Sequence, residues 1–276
     1  MDSVMDGASP RQLARIAGAL YLINVVAGAF AIGYVNATLF VPDPATTAAN
    51  IQAHQLLYRS GLAAHVVVTV TNVPLALIFY ELFKGVSRRV ALLDAFFILV
   101  ATAIEAAGLL HQFAPLILLS NGPGSVALPP TQLQALISLS SQLAGADYTL
   151  YTVFFGLDIL CLAYLLLRSK FLPRVIGVLL AVDGLAYLVY SFSDILTPGL
   201  AGHLTPWIQF PAPVAEGILS LWLLTLGVNV DRWTKRTDVG IRTPIPGVEP
   251  PSAVPVGASR SGRISPDGDA DRGWSS

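Results

Sequence analysis

Four acidic residues stand in the middle of long apolar segments, where a charged group is costly. Each lies at or near the midpoint of such a segment: Glu105, Asp158, Asp183 and Glu216. A central acid costs about 2.5–3.5 kcal/mol on the insertion scale, whereas a central Leu contributes only about 0.3–0.6 kcal/mol. No Lys or Arg lies at the same depth, so these acids must be protonated, hydrogen bonded or matched by a bound cation.

Other polar side chains follow helical spacing in the same segments. His65, Thr69 and Asn72 share one face of a helix, and so do Asp183 and Tyr187. Intramembrane polar residues of this kind face a bundle interior or a hydrated cavity. The sequence therefore predicts one polar cavity with these candidate residues: Glu105, Asp158, Asp183, Glu216, His65, His111, Asn72 and Tyr187. An alternative for Asn72 and Thr69 is that they only join helices.

The composition is that of a membrane protein. Hydrophobic residues make up 54% of the 276 residues and charged residues 12%, and the mean hydropathy is +0.65. A soluble domain has about 25% charged residues, so the excess apolar surface must face lipid. The basic residues form no stripe for nucleic acid. Cys161 is the single cysteine, and no metal motif is present, so we expect neither a metal nor a cofactor.

Six apolar segments are long enough to cross a bilayer, which takes about 20 helical residues. They are Ile16–Val35, Gly61–Phe83, Val90–Leu119, Tyr148–Leu167, Val175–Phe192 and Trp207–Val230. The third contains Pro115, which predicts a tilt or a kink. The fold class predicted is an all-α, polytopic integral membrane bundle of six transmembrane helices.

The basic residues predict how this bundle is oriented. Of 16 Lys and Arg residues, Arg59 alone falls on one side, while the rest precede the first segment, lie in the second and fourth connections, or follow the sixth segment. Lys and Arg are enriched on the cytoplasmic side. The pattern predicts that both termini are cytoplasmic (N-in/C-in) and that the protein lies in the plasma (inner) membrane.

The connections and the tail complete the predicted organisation. Residues 1–13 form a cytoplasmic N-terminus, 14–230 the six-helix transmembrane domain, and 231–276 a disordered cytoplasmic tail rich in Pro, Gly and Ser. On the outer side, Ala45–Tyr58 is predicted to form a short helix. Thr131–Leu143 is predicted to form an interfacial or lid helix, or a plain connector.

Two acids near the basic connections are predicted to form surface ion pairs. Glu81 and Asp94 flank the connection that contains Lys84, Arg88 and Arg89. Ion pairs at such a surface contribute little energy. These two acids are therefore not included among the candidates for the cavity.

Several segments of the sequence resemble segments of one known protein family. They are Arg15–Ile23, Ala49–His54, Tyr58–Gly61, Phe154–Leu157 and Arg168–Leu179, with Glu216 ahead of Leu221–Leu224. Together they resemble the bacterial multi-pass membrane proteins of domain-of-unknown-function family 4386, over about residues 12–230. His is common in that family where this chain has Asp158. The resemblance implies a membrane fold, but no activity, substrate, cofactor or site residue.

Three functions remain open at this point. A transporter or proton/cation-coupled permease would use the intramembrane acids to bind a small ion or relay protons. An intramembrane lipid-modifying enzyme would use His65, His111 and the acids as acid–base groups or metal ligands. A non-catalytic scaffold or sensor would act through its outer connections and tail. The lipid bilayer is the partner common to all three.

Overall fold

The computed structural model describes residues 9–120, 128–205 and 207–235, and within these ranges it contains helices and no strand. The helices are α1 (Pro10–Leu39), α2 (Pro44–Ala53), α3 (Gln55–Phe83), α4 (Arg88–Leu118), α5 (Pro130–Ser169), α6 (Arg174–Leu196), α7 (Pro198–Leu204) and α8 (Pro211–Thr225). A further helical stretch covers residues 230–235. The rest of the predicted disordered tail, 236–276, lies outside the described residues.

Six of these helical segments are long and apolar enough to cross a membrane: α1, α3, α4, α5, α6 and Trp207–Thr225, which contains α8. The prediction of six apolar spans is thus confirmed. Large apolar side chains are exposed around the outside of the bundle, among them Val26, Leu110, Ile117 and Val175. Extended exposed apolar surface of this kind fits contact with lipid.

The six spans pack as a closed ring. Each span packs against the next one along the chain, and α8 packs against α1. Consecutive spans alternate in direction, so the connections fall on two sides of the ring. We call the side with the α3–α4 and α5–α6 connections the basic side, and the other the opposite side. The ring encloses the buried polar residues described below.

Glycines allow the helices of the ring to approach closely. A Cβ atom built on Gly18 of α1 would lie 2.3 Å from the backbone nitrogen of Leu224 in α8. A Cβ atom on Gly184 of α6 would lie 2.9 Å from the carbonyl oxygen of Gly156 in α5. Small residues at such crossings let two backbones pack together in a membrane. These contacts set which faces of the helices meet inside the ring.

Two predicted outer helices differ from the structure. Thr131–Leu143 is neither a separate helix nor a connector, but the first part of α5, which has 40 residues. At about 1.5 Å per residue α5 is about 60 Å long, twice the hydrocarbon thickness of about 30 Å. No proline follows Pro130 until Pro173, so the helix has no strong breaker.

The second difference concerns α2, which ends at Ala53 and not at Tyr58, because His54 leaves the helical conformation with φ −119° and ψ 43°. Its start is capped by Asp43, whose carboxylate accepts a hydrogen bond from the backbone N–H of Thr46 at 2.8 Å. Hydrogen bonds from Thr46 lower the pKa of Asp43 below its usual value. A carboxylate at this position satisfies a free N–H of the first helical turn.

Candidate functional site

A group that we call the His–Glu cluster joins α3 and α4 inside the ring. Its centre is the hydrogen bond between His65 Nε2 and Glu105 Oε1, 3.0 Å apart, and both side chains are buried. Thr69 Oγ1 donates to Glu105 Oε2 at 3.1 Å, and Asn72 Nδ2 reaches the same oxygen at 3.4 Å. The remaining ring nitrogen of His65 lies 3.2 Å from the side-chain amide of Gln112. The predicted shared face of His65, Thr69 and Asn72 thus converges on one carboxyl group.

The His–Glu cluster extends to a third helix. Asn24 of α1 donates through Nδ2 to Asn72 Oδ1 at 2.7 Å and to the carbonyl oxygen of Val68 at 3.2 Å. A continuous series of polar contacts therefore runs from Gln112 through His65, Glu105 and Asn72 to Asn24. Such bonds between membrane helices average about 0.6 kcal/mol each, so this series also helps to hold α1, α3 and α4 together.

A second group, the carboxyl cluster, brings together four buried acids from four helices. They are Asp94 of α4, Asp158 of α5, Asp183 of α6 and Glu216 of α8. The carboxyl groups of Asp94 and Asp158 interact directly, and so do those of Asp183 and Glu216. No Lys or Arg forms an ion pair with any of them within residues 9–120, 128–205 and 207–235.

The burial of Asp94 corrects a prediction. Glu81 does pair with Lys84 as expected. The prediction that Asp94 forms a surface ion pair is wrong, because Asp94 is only 2% exposed and faces Asp158. Asp94 precedes Glu105 by 11 residues, about three helical turns, so both lie on the inner face of α4. That spacing was the sequence signal for its place inside the bundle.

Two tyrosines contact the carboxyl cluster. The Tyr187 hydroxyl donates to Glu216 Oε1 at 3.2 Å, and the Tyr21 hydroxyl interacts with the same carboxyl group. Phe155 packs edge-on against Tyr187, with ring centroids 5.2 Å apart, and stacks on Tyr151, also at 5.2 Å. Aromatic rings therefore line one wall of the interior between the two clusters, and Tyr151 itself borders the pocket beside Glu105.

A cavity of about 230 Å³ opens next to the His–Glu cluster, lined by Asn36, Tyr58, His65, His111, Gln112 and Tyr148 among others. A narrow pocket of about 20 Å³ continues from it past Glu105 and Asp147, and it shares four lining residues with the larger cavity. The cavity belongs to the opposite side, because Asn36 and Tyr58 lie near the α1–α3 connection. His65 thus contacts the cavity and Glu105 at once.

Another His–acid pair borders this cavity. His111 Nδ1 forms a short hydrogen bond with Asp147 Oδ2. A Cβ atom on Gly108 would lie 2.8 Å from Asp147 Cβ, so the glycine of α4 lets Asp147 of α5 come this close. Asp147 was not among the candidates, since it lies at the end of an apolar segment and its partner is on another helix. Only the fold shows this contact.

The candidate residues are thus brought together in three places. His65, Asn72 and Glu105 form the His–Glu cluster, while His111 lies across the cavity with Asp147. The remaining candidates belong to the carboxyl cluster or contact it: Asp158, Asp183, Glu216 and Tyr187. The four predicted acids do not meet at one point, because Glu105 has its own partners. Within the part of the chain that the structure describes, no three His, Cys, Asp or Glu residues are placed to hold a metal ion.

Comparison with known proteins identifies one family. A family model described as a domain of unknown function (DUF4386) matches residues 16–227. No curated protein and no solved structure matches the chain. The matched range starts within α1 and ends just after α8, so it includes most or all of each of the six spans and both buried clusters. The chain is therefore a multi-pass membrane protein that belongs to the DUF4386 family.

Proposed function

We propose that this protein is a proton- or cation-coupled transporter whose ion-binding groups are the acids of the membrane interior. One observation carries the proposal, the direct pairing of Asp94 with Asp158 and of Asp183 with Glu216. An ionised carboxylate only accepts hydrogen bonds, so two facing carboxyl groups need a proton or a cation between them. Groups that hold a proton or cation inside a membrane are typical of ion pathways.

Unpaired oxygens in the carboxyl cluster support the same proposal. Asp94 Oδ1 and Asp183 Oδ2 are buried, and no N–H or O–H group of the described residues donates to them. A buried acceptor without a donor is costly. A proton shared within each pair, or a small cation, would remove that cost. Each pair would then exchange its proton or cation as the helices around it move.

A polar route leads towards the carboxyl cluster from the opposite side. The cavity of about 230 Å³ reaches His65, which contacts Glu105, and Glu105 contacts Asn72. Asn72 also lines a pocket of about 20 Å³ beside Asp94 and Asp158. At about 30 Å³ per water molecule, the outer cavity holds a few waters or a small solute. The transported species would therefore be small.

The transport proposal is tested with the purified full-length protein in liposomes that contain a pH-sensitive dye. Gradients of Na⁺, K⁺ or pH are imposed in turn. We expect a protein-dependent change of internal pH. Glu105→Gln should reduce this change, because the Gln amide has no negative charge and cannot take up or release a proton. Glu81→Gln is the control, since Glu81 pairs with Lys84 at the bundle surface and is outside both buried clusters. If no gradient produces a response above that of empty liposomes, the proposal fails.

We also propose that both termini are cytoplasmic and that the membrane is the plasma (inner) membrane. The α3–α4 and α5–α6 connections on the basic side contain Lys and Arg, whereas the exposed Arg59 lies at the opposite side. This distribution follows the enrichment of basic residues in the cytoplasm.

Single cysteines test the orientation. In a Cys161→Ser background, Arg59→Cys should react with a membrane-impermeant maleimide on intact cells. Arg89→Cys should react only after the cells are permeabilised, because both arginines are exposed but on different sides. The reverse labelling pattern would invert the proposed topology.

A second candidate function is an intramembrane enzyme that acts on a lipid. The hydrogen bond between His111 and Asp147 at the cavity resembles the way a carboxylate orients a general base. The nearby Ser140 hydroxyl donates to the His111 carbonyl oxygen at 2.5 Å and not to the ring. The Ser140 hydroxyl is therefore not aligned with the imidazole as a nucleophile. Turnover of a fluorogenic lipid ester that is lost in His111→Ala would favour this candidate.

A further inference from the structure

A wide pocket lies on the basic side, where α5 ends and α6 begins. Its volume is about 590 Å³, and it is lined by Ser169, Lys170, Leu172, Arg174, Arg232 and Lys235. The four basic residues come from two distant parts of the chain, the α5–α6 connection and the helical stretch 230–235. Ser169 and Leu172 are buried and form its floor. We call this site the basic pocket.

The basic pocket is held open by fixed backbone contacts. Lys170 adopts a left-handed conformation with φ 61°, and Arg232 Nη1 donates to its carbonyl oxygen at 3.2 Å. The helical stretch 230–235 is anchored separately, because Trp233 Nε1 donates to the carbonyl oxygen of Leu82 at 2.9 Å. The Arg232 hydrogen bond therefore joins the two walls of the basic pocket, the Trp233 hydrogen bond fixes one wall to α3, and the pocket is preformed.

The basic pocket has a surplus of positive charge among the residues that the structure describes. Within residues 9–120, 128–205 and 207–235, no acidic side chain lines it, and neither Arg174 nor Lys235 forms an ion pair. In addition, α6 starts at Arg174, and the N–H groups of a first helical turn have no partner within the helix. Basic side chains and a helix N-terminus at one place both attract an anion.

We propose that the basic pocket binds a phosphate group, supplied by the headgroup of an anionic phospholipid or by free phosphate. The pocket lies at the ends of membrane-spanning helices, the level at which headgroups border the hydrocarbon core. Basic pockets between transmembrane helices are typical binding sites for anionic headgroups. Its volume also exceeds that of a bare phosphate ion and accommodates a glycerophosphate headgroup. This site is separate from the buried acids of the proposed transport function.

The test uses the purified full-length protein in detergent and measures binding by native mass spectrometry. The probes are a short-chain phosphatidylglycerol, the diacylglycerol with the same chains, and inorganic phosphate. We expect phosphatidylglycerol to bind and diacylglycerol not to bind at equal concentration. Arg174→Gln combined with Lys235→Gln should weaken phosphatidylglycerol binding at least about tenfold, since each basic residue near the surface contributes about fivefold.

The control is Arg88→Gln combined with Arg89→Gln, which removes two exposed charges from the same side outside the basic pocket. It should bind phosphatidylglycerol like the wild type. Inorganic phosphate that binds and competes with the lipid indicates free phosphate as a ligand, whereas lipid binding without competition indicates the headgroup. Equal binding of phosphatidylglycerol and diacylglycerol, equal losses in the two double variants, or no binding of any phosphate probe would overturn the proposal.

Discussion

The double variant Asp183→Asn with Glu216→Gln is expected to lower the coupled flux in liposomes by about 100-fold or more. Removal of a proton-transferring group from an active site typically costs about 10²–10⁴-fold. Asp183 and Glu216 face each other across α6 and α8, and an Asn–Gln pair keeps their shape but cannot exchange a proton. The variant should still fold, because the Gln carbonyl can accept the bond that Tyr187 donates to Glu216.

Asp194→Asn is the matched control for this experiment. Asp194 lies on α6 like Asp183, but it accepts a hydrogen bond from Thr149 at 2.5 Å and is not part of the carboxyl cluster. Its variant should keep the flux of the wild type. Flux that persists in the double variant, with unfolding temperatures unchanged, would mean that the Asp183–Glu216 pair is not on the transport route.

Gly18→Ala is expected to destabilise the protein by about 1–3 kcal/mol, the usual range for overpacking. The added Cβ would lie 2.3 Å from the nitrogen and 2.8 Å from the Cα of Leu224. Both are backbone atoms, so no side chain can rotate away, and α1 and α8 must separate. These two helices close the ring, so their separation would also open the interior. Unfolding in a fixed detergent reports the change.

Gly217→Ala is the control for the closing contact. Gly217 lies on α8, and nothing is within 4 Å of a Cβ atom at this position. Ala is favoured over Gly in a helix by about 0.5–1 kcal/mol, so this variant should be as stable as the wild type or more stable. If Gly18→Ala unfolds at the same temperature as Gly217→Ala, the close approach of α1 and α8 is incorrect.

The spans and their polar faces are predictable from the sequence because both depend on local patterns. Hydropathy over about 20 residues identifies a membrane helix. Helical spacing places His65, Thr69 and Asn72 on one face, and all three contact Glu105 or lie beside it in the structure. The presence of acids in the interior follows from their depth in the apolar segments.

The pairing of the interior residues is not predictable in the same way. Which acid meets which depends on the rotation of each helix and on how closely two backbones approach, and the sequence states neither. For example, Gly108 leaves room for Asp147 where α4 and α5 cross. The hydrogen bond between His111 and Asp147 depends on that crossing. Asp94 was misplaced because three basic residues near it in the chain suggested surface ion pairs, although its spacing from Glu105 put it on the inner face of α4.

The central claim is that facing carboxyl groups inside the membrane hold a proton or a cation between them. In a buffer without Na⁺ or K⁺ they must share protons, so infrared spectroscopy of the purified protein in lipid at neutral pH in such a buffer tests the claim most directly. We predict a C=O stretching band of protonated carboxyl groups that shifts in D₂O. This band should lose intensity in the variant Asp183→Asn with Glu216→Gln, but not in Asp194→Asn. A wild-type spectrum without any protonated carboxyl band would contradict the claim, because every interior acid would then be ionised.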